Sequence, residues 1–490
     1  MDDTYTGNTH ILQTQLEKYV RQGLYPLHMP GHKRLMQPAP GLPSSWDLTE
    51  VEGTDDLHDA GGILSDAMRR TALLWGAERT WYLVNGSTCG LLAAIRSLAG
   101  HGAEVICARN CHKAVFHAIG LSGYRVRWLM PAVNEEWGIC GGISALQVQA
   151  ALGRYPSAKA VILTSPTYEG ILSDIKGICR VCHEKGIPVL VDEAHGAHLM
   201  PLSAASGFPA GALAGGADLV VQSPHKTLPS LTQTALLHLQ GRIADPARVE
   251  EELDIFETSS PSYPLMASLD GCTGILRKEG AELFKKWKER LARFDEAVHS
   301  LQKIRILGHG SQSAAVNDPG KILINTRGAG MTGQEAAGLL RDQFRLETEY
   351  ARGFHVLAMS SPCDSEDALD RLAAALLVLD TKAAAPVSVE KNRTDSTDAL
   401  PVQELLMIRP VTACTIACAA EQEAEEVPIT EASGRICAEY LYDYPPGIPF
   451  LIPGEFITRK IIEILEKEAE NGRAFYGHRG REGVILCLRE

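Results

Sequence analysis

The chain has 490 residues, 45% of them hydrophobic and 22% charged, with a formal net charge of −13. That length and balance exclude wholesale disorder, a collagen-like or coiled-coil fibre and a disulfide miniprotein, and leave room for about three domains. An acidic chain without a long Lys/Arg block does not track a phosphate backbone, so nucleic acid is not an expected partner.

No apolar run approaches the ~18 residues that cross a bilayer. The start, Met1-Asp2-Asp3-Thr4, lacks the basic and apolar regions of a signal peptide. The expectation is a cytoplasmic protein with no membrane partner, whose twelve cysteines stay mostly reduced. Cys179 and Cys182 have CxxC spacing but fall within a helical stretch, and no second CxxC completes a zinc site. They read as two thiols on a packed helix, and no metal is expected.

In chain order, an amphipathic helix is expected over about Ile11 to Gln22, then a Pro- and Gly-rich stretch carrying His28-Met29-Pro30-Gly31-His32-Lys33. From Gly62 the pattern alternates. Helix Ile63–Trp75, strand Trp81–Val84, a helix from the Asn85-Gly86-Ser87 turn to Leu98, strand Glu104–Cys107, helix Lys113–Ile119 and strand Arg125–Met130 come first. Helix Ser144–Leu152, strand Ala160–Leu163, helix Ile175–Glu184, strand Pro188–Val191 and strand Asp218–Gln222 follow. Short apolar runs between helices predict βαβ units and a mostly parallel sheet covered on both faces. A long helix is expected from Ser262 to about Lys303, then a smaller α+β unit. The predicted organisation is an N-terminal segment (1–60), a large α/β domain (61–300), a small α+β domain (301–382), a polar linker (383–400) and a C-terminal unit (401–490).

Three pieces of chemistry follow strands of this sheet. Lys226, in Ser223-Pro224-His225-Lys226-Thr227, comes just after an apolar strand and can point into the crevice where α/β folds bind ligands. Burial lowers an ammonium pKa, which suits a Schiff-base lysine, although an exposed loop lysine reads the same way. Asp192 ends the strand Val189-Leu190-Val191-Asp192. A buried carboxylate there can keep a pyridine nitrogen protonated, or it can cap the next helix. Ser87 and Thr88 stand where a glycine turn opens a helix, a ready anion site or an ordinary N-cap. Each signal alone is weak. Together they fix the phosphate, ring nitrogen and aldehyde of one cofactor, pyridoxal 5'-phosphate.

With these residues the sequence resembles the Orn/Lys/Arg decarboxylase class-I family, and most closely its short, Gram-positive-type arginine decarboxylases. The resemblance runs through His28–Lys33, Asp55-Asp56-Leu57-His58, Arg109-Asn110-Cys111-His112-Lys113, Val191-Asp192-Glu193-Ala194-His195-Gly196-Ala197-His198 and Ser223-Pro224-His225-Lys226. It continues through Thr227-Leu228-Pro229, Leu231-Thr232-Gln233, Tyr444-Pro445-Pro446-Gly447-Ile448-Pro449 and Pro453-Gly454-Glu455, and so covers nearly the whole chain. It implies an aspartate-aminotransferase-like large domain (pyridoxal phosphate fold type I), a small α+β domain and a C-terminal decarboxylase-family domain.

The resemblance further implies that Lys226 forms the internal aldimine, Asp192 pairs with the pyridine nitrogen, Ala194 packs on the ring and His112 stacks on its other face. Ser87, Thr88 and Ser223 would hold the phosphate, with His225 close by. The stretch Thr258-Ser259-Ser260-Pro261-Ser262-Tyr263 would reach the neighbouring subunit's cofactor, implying a homodimer or larger homo-oligomer. Pro224 departs from the pattern, where a non-proline residue is more common. It would stiffen the loop before Lys226 and remove one N–H.

The implied reaction is decarboxylation of a basic amino acid, arginine first and lysine or ornithine next. Lys226 or His225 would return a proton to Cα. Such a substrate needs an acidic group at its far end, and Asp55, Asp56, Glu431 and Glu455 are candidates. Asp55 and Asp56 read equally as helix caps, and His28 and His32 as turn residues or as part of the site entrance. The rival reading is an aminotransferase or carbon–sulfur lyase of the same fold, with an arginine clamping the substrate carboxylate. Arg352 lies in the right region for that but reads as exposed. A non-catalytic protein on this scaffold ranks last, because Lys226 and Asp192 are both present.

Overall fold

The computed structural model describes residues 25–27, 55–308, 317–382, 411–444, 447–470, 477 and 483–489. The expected helix near Ile11, the His28–Lys33 loop and the 383–400 linker lie outside the described residues.

The centre is a seven-stranded sheet. Its strands are β1 (Arg79–Leu83), β2 (Glu104–Ala108), β3 (Arg125–Leu129), β4 (Val161–Thr164), β5 (Val189–Asp192), β6 (Leu219–Gln222) and β7 (Ala235–Leu239). They lie in the order β1-β7-β6-β5-β4-β2-β3. Every pair is parallel except the two that β7 makes, with β1 and with β6. Two antiparallel pairings in succession leave β1 running the same way as β6. The C-terminal ends of β1, β2, β5 and β6 therefore share one edge, where such sheets place their ligands. The apolar run Ala235–Leu239 was not anticipated as a strand.

Strand composition follows position. β2, β5, β6 and β7 are buried at every residue, as expected of strands covered on both faces. β3 is an edge strand and alternates between exposed and half-buried before ending on buried Leu129. The covering helices are α1 (Ile63–Trp75), α2 (Gly86–Ser97), α3 (Lys113–Leu121), α4 (Ala145–Arg154), α5 (Ile175–His183), α6 (Pro224–Thr227) and α7 (Pro246–Phe256). α1 buries Leu64, Met68, Thr71, Ala72 and Trp75 along one stripe at helical spacing. α5 holds Cys179 and Cys182 buried, and burial pushes both thiols up to about 12.

Helix α8 (Tyr263–Val298) leads out of this layer to a second sheet, with strands β8 (Arg305–Ile306), β9 (Lys321–Asn325), β10 (Tyr350–Arg352) and β11 (His355–Met359). Its order is β8-β9-β11-β10, antiparallel throughout. Helices α9 (Gly333–Phe344) and α10 (Ala368–Lys382) cover it. The C-terminal unit pairs Ala424–Pro428 with Val484–Leu488 and Leu441–Asp443 with Ile448–Leu451, with helix α11 (Arg459–Glu470) alongside. It has its own buried core, including Val427, Leu441, Phe450, Ile461 and Ile485. Among the described residues no helix is long and apolar enough to cross a membrane.

Candidate active site

The shared strand edge brings the expected residues to one crevice. β6 ends at Gln222 and turns at once into the single turn α6, so Lys226 is held four residues from the sheet. Pro224 is the first residue of that turn, where a helix leaves its N–H unbonded in any case. The proline therefore fits without loss, and Lys226 N donates to the Ser223 carbonyl at 3.1 Å.

Asp192 ends β5 next door and is 3% exposed. Its Oδ1 accepts from Ala194 N at 3.1 Å, so it caps the following turn as well as facing the crevice. Burial pushes its carboxyl up, and the Lys226 ammonium pulls it part of the way back. Burial in turn lowers the Lys226 amine, against the pull of Asp192 and Glu349. Ala194 is buried beside them.

His112 follows β2 as the N-cap of α3, its Nδ1 accepting from Ala114 N at 3.2 Å. Burial, then the charges of Lys226 and Lys113, push it down to about 3, so it is neutral at any working pH. The C-terminal unit seats this histidine. Gly447 sits at φ +86°, and a Cβ there would come within 3.3 Å of His112 Nε2. Lys113 N donates to the Gly447 carbonyl at 2.9 Å. Gly447 thus sits against the ring expected to stack, a link that spacing alone did not reveal.

Ser87 is half-buried and Thr88 exposed at the start of α2, whose N-cap Asn85 makes no side-chain cap bond. Asn85 Oδ1 instead accepts from Thr258 N at 3.1 Å. That ties the loop carrying the exposed Ser259 and Ser260 to the mouth of α2. Ser223 is fully buried, with no hydrogen-bond partner for its Oγ among the described residues. His225 Nδ1 donates to the Thr234 carbonyl at 2.7 Å.

Several expectations need correction. Asp55 does not face the crevice: its carboxylate accepts from Gly61, Gly62 and Leu64 N at 3.1, 2.9 and 2.8 Å and so opens α1. Asp56 accepts from His58 N at 2.9 Å. Glu431 is exposed on a short 3-10 turn. Glu455 is buried against Arg109 at 3.3 Å, a contact between the two units and not a substrate contact. Arg352, read as exposed, is half-buried on β10, with its charge acting on the half-buried Glu169 carboxyl and Tyr350.

Four residues outside the expected site set reach the crevice. His195 stands three positions after Asp192, with Nε2 3.0 Å from Lys226 Nζ and Nδ1 2.8 Å from Lys321 Nζ. Lys321 comes from β9 of the second sheet and is 1% exposed. A lysine opening the apolar strand Lys-Ile-Leu-Ile-Asn was the available signal. Tyr168 meets the His195 ring edge-on at 4.8 Å and donates to Glu349 Oε1 at 2.6 Å. Glu257 lies beneath the start of α2, accepting from Val84 N at 2.6 Å, with burial pushing it up to about 7.

Residues 11–318 match the Orn/Lys/Arg decarboxylase major domain, and residues 399–482 match the C-terminal domain of the same family. The arginine decarboxylase of Bacillus subtilis is 33% identical over 481 residues, covering 95% of each chain. The chain belongs to the Orn/Lys/Arg decarboxylase family.

Its enzymes are pyridoxal phosphate-dependent carboxy-lyases. Among solved structures, the lysine decarboxylase LdcF of Francisella novicida superposes with a TM-score of 0.74 at 17% identity, covering 100% of this chain and 84% of that one. An alanine–glyoxylate aminotransferase from Nostoc sp. superposes with a TM-score of 0.54 at 15% identity, covering 70% of this chain and 93% of that one. The large domain therefore has the aminotransferase-like fold type I.

The crevice fits that cofactor. A buried hydroxyl without a partner (Ser223) and an uncapped helix start (α2) suit a phosphate. A buried carboxylate (Asp192) and a desolvated lysine (Lys226) suit a pyridinium and an aldehyde. Among the described residues no group of three His, Cys, Asp or Glu is placed to hold a metal ion.

Proposed function

We propose that the chain decarboxylates arginine to agmatine, with lysine and ornithine as the next substrates, using pyridoxal phosphate anchored on Lys226. The observation that carries this reading is the meeting of Lys226, Asp192 and His112 at one strand edge, in a member of a basic-amino-acid decarboxylase family. The relative named arginine decarboxylase, matched along 95% of its length, supports the choice of arginine.

Ser87, Thr88 and Ser223 would hold the phosphate and Asp192 the ring nitrogen, with Ala194 and His112 on the two ring faces and His225 close to the phosphate. When bound, the cofactor supplies an electron sink for the bond to the departing carboxylate. The chain's part is to bind and orient. Asp192, held by Ala194 N, would supply the negative charge that keeps a ring nitrogen protonated. Neutral His112 stacks without adding a competing cation. Lys226, its neutral amine favoured by burial, would be the nucleophile that anchors the aldehyde and, with His225 as the other candidate, would afterwards return a proton to the reacting carbon. Ser259 and Ser260, exposed and tethered through Thr258 to the mouth of α2, would meet the cofactor of a second subunit, so the working unit is a homodimer or a larger homo-oligomer.

The test is amine formation by purified protein with added pyridoxal phosphate, offered arginine, lysine and ornithine together and read by mass spectrometry. Agmatine alone establishes the reading. Cadaverine or putrescine moves the substrate and keeps the chemistry. No amine, in a protein whose yellow cofactor spectrum is abolished by Lys226→Ala, keeps the anchor and overturns decarboxylation of basic amino acids.

A further inference from the structure

We propose that His195 and Lys321 are the route by which a proton reaches the amino group of Lys226. The inference rests on the decarboxylase reading, because replacing a carboxylate by hydrogen consumes one proton in every turnover.

One imidazole spans two amines, the half-buried Lys226 and the buried Lys321: Nε2 is 3.0 Å from Lys226 Nζ and Nδ1 is 2.8 Å from Lys321 Nζ. Valence restricts how both contacts are made. An ammonium only donates, and a neutral imidazole offers one acceptor nitrogen and one N–H. Two ammoniums cannot both bond to it, so both contacts form together only if at least one of the two lysines is a neutral amine. Lys226 must be neutral to attack an aldehyde. Lys321, as the ammonium, then donates to Nδ1, while Nε2–H donates to Lys226.

The surroundings hold this chain in place. Tyr168 packs edge-on to the His195 ring at 4.8 Å, and Lys321 Nζ lies 5.3 Å from the centre of the Tyr168 ring. Gly170 sits at φ +98°, where a Cβ would come within 2.7 Å of Lys321 Cβ, so the Tyr168–Gly170 turn closes directly over the lysine stem. On the far side Lys321 Nζ meets Met359 Sδ at 3.4 Å. The charged groups facing Lys321 are Asp318, Glu349, Lys226 and Glu169, and Asp318 is itself bound to His198 at 3.1 Å. Those facing His195 are Lys226, Lys321, His112 and His225. Burial pushes the Lys321 amine down to about 8, close to the working pH, where an acid transfers its proton most effectively.

The step balances. A Lys321 N–H bond breaks as the Nδ1–H bond forms, and the Nε2–H bond breaks as a Lys226 N–H bond forms. Lys226 then supplies the hydrogen that replaces the carboxylate. After the product leaves, one proton from water arrives at Nε2, the Nδ1 proton returns to Lys321, and the starting tautomer is restored. Lys321 is a positioning and proton-feeding residue that acts through His195.

The test uses full-length protein and two substitutions that separate charge from proton transfer. In cofactor-free protein, the pH midpoint for covalent capture of pyridoxal phosphate by Lys226 is read by absorbance. Lys321→Met removes a neighbouring cation and is expected to move that midpoint about one unit alkaline. Lys321→Arg keeps the cation and is expected to leave the midpoint in place. In the loaded enzyme both variants are expected to lose about 10²-fold in kcat with little change in KM, because arginine cannot release its proton. The alkaline limb of the kcat profile should disappear with them. His195→Gln, which can span both amines but cannot pass a proton, should match the kcat loss and serves if Lys321→Met does not fold. An unmoved midpoint with unchanged kcat in Lys321→Met overturns the relay alone. A shifted midpoint in a protein that decarboxylates none of the three amino acids supports the Lys321 cation beside Lys226, on which the relay depends, and overturns the substrate reading.

Discussion

Arg109 and Glu455 meet at 3.3 Å across the seam between the large domain and the C-terminal unit, both with essentially no exposure. The guanidinium also lies over Phe116 and Trp128, at 5.0 and 5.2 Å from the ring centres, and donates to the Pro449 carbonyl. One cation thus fastens the segment that carries Gly447 onto His112. Glu455→Ala would leave a buried guanidinium without its carboxylate, which costs about 3–5 kcal/mol. Denaturant unfolding should show a loss of that size, and cofactor affinity should fall as His112 loses its seat. A loss below about 1 kcal/mol would mean that the pair does not hold the two units together.

His112 should act as a flat ring and not as an acid or base. Its imidazole is held near pKa 3, mainly by burial and then by the Lys226 and Lys113 charges. The folded value lies below the unfolded one, so the stabilisation is present above about pH 6.5 and is lost as the pH falls toward 3. His112→Phe keeps the ring and is expected to keep the shape of the pH–rate profile between pH 5 and 8. His112→Ala removes the stack and should weaken cofactor binding about tenfold. A profile that loses a limb in His112→Phe would show that the ring does titrate in catalysis.

Ser223 offers a cleaner test of the phosphate site. Its Oγ is buried and makes no hydrogen bond among the described residues, an arrangement that costs about 1–3 kcal/mol unless something fills it. Ser223→Ala should leave the cofactor-free protein as stable as before, or slightly more so. The same change should weaken pyridoxal phosphate binding about tenfold. Equal losses with and without the cofactor would assign the hydroxyl a structural role.

What the sequence made legible follows a physical line. Lys226, Asp192, His112 and Ser87 each sit just past the end of an apolar strand, and a mostly parallel sheet brings such ends together whatever the details of packing. His195 was in view as part of the Asp-Glu-Ala-His run but had no partner to suggest a role. Lys321 belongs to a different sheet, and only the docking of that sheet sets its amine beside the imidazole. Glu455 read as a substrate carboxylate because an acid in a signature motif invites that reading; its partner Arg109 lies 346 positions away. Strand Ala235–Leu239 was missed for a related reason. Its apolar run fits a helix or a strand, and nothing local fixes an antiparallel direction.

The last prediction concerns the buried polar chain that crosses the sheet under the site. Glu193 accepts from Ala212 N at 2.8 Å and from Gln222 Nε2 at 2.7 Å. Gln222 is 3.2 Å from His238, which reaches Thr80 at 2.7 Å. Burial, with a smaller contribution from the Asp192 charge, pushes Glu193 up to about 8. A carboxyl with a raised folded pKa binds its proton in the native state after the unfolded chain has released it. The stability it contributes is complete below about pH 4.5 and is lost as the pH rises through 8, at about 1.4 kcal/mol per unit. Glu193→Gln keeps an acceptor for Ala212 N and removes the titration. Urea unfolding of the cofactor-free proteins at pH 5.5 and 7.5 should therefore show the parent losing about 2 kcal/mol more than the variant over that interval. Parallel losses in the two proteins would show that Glu193 is ionised throughout, and that Ala212 and Gln222 alone satisfy its charge.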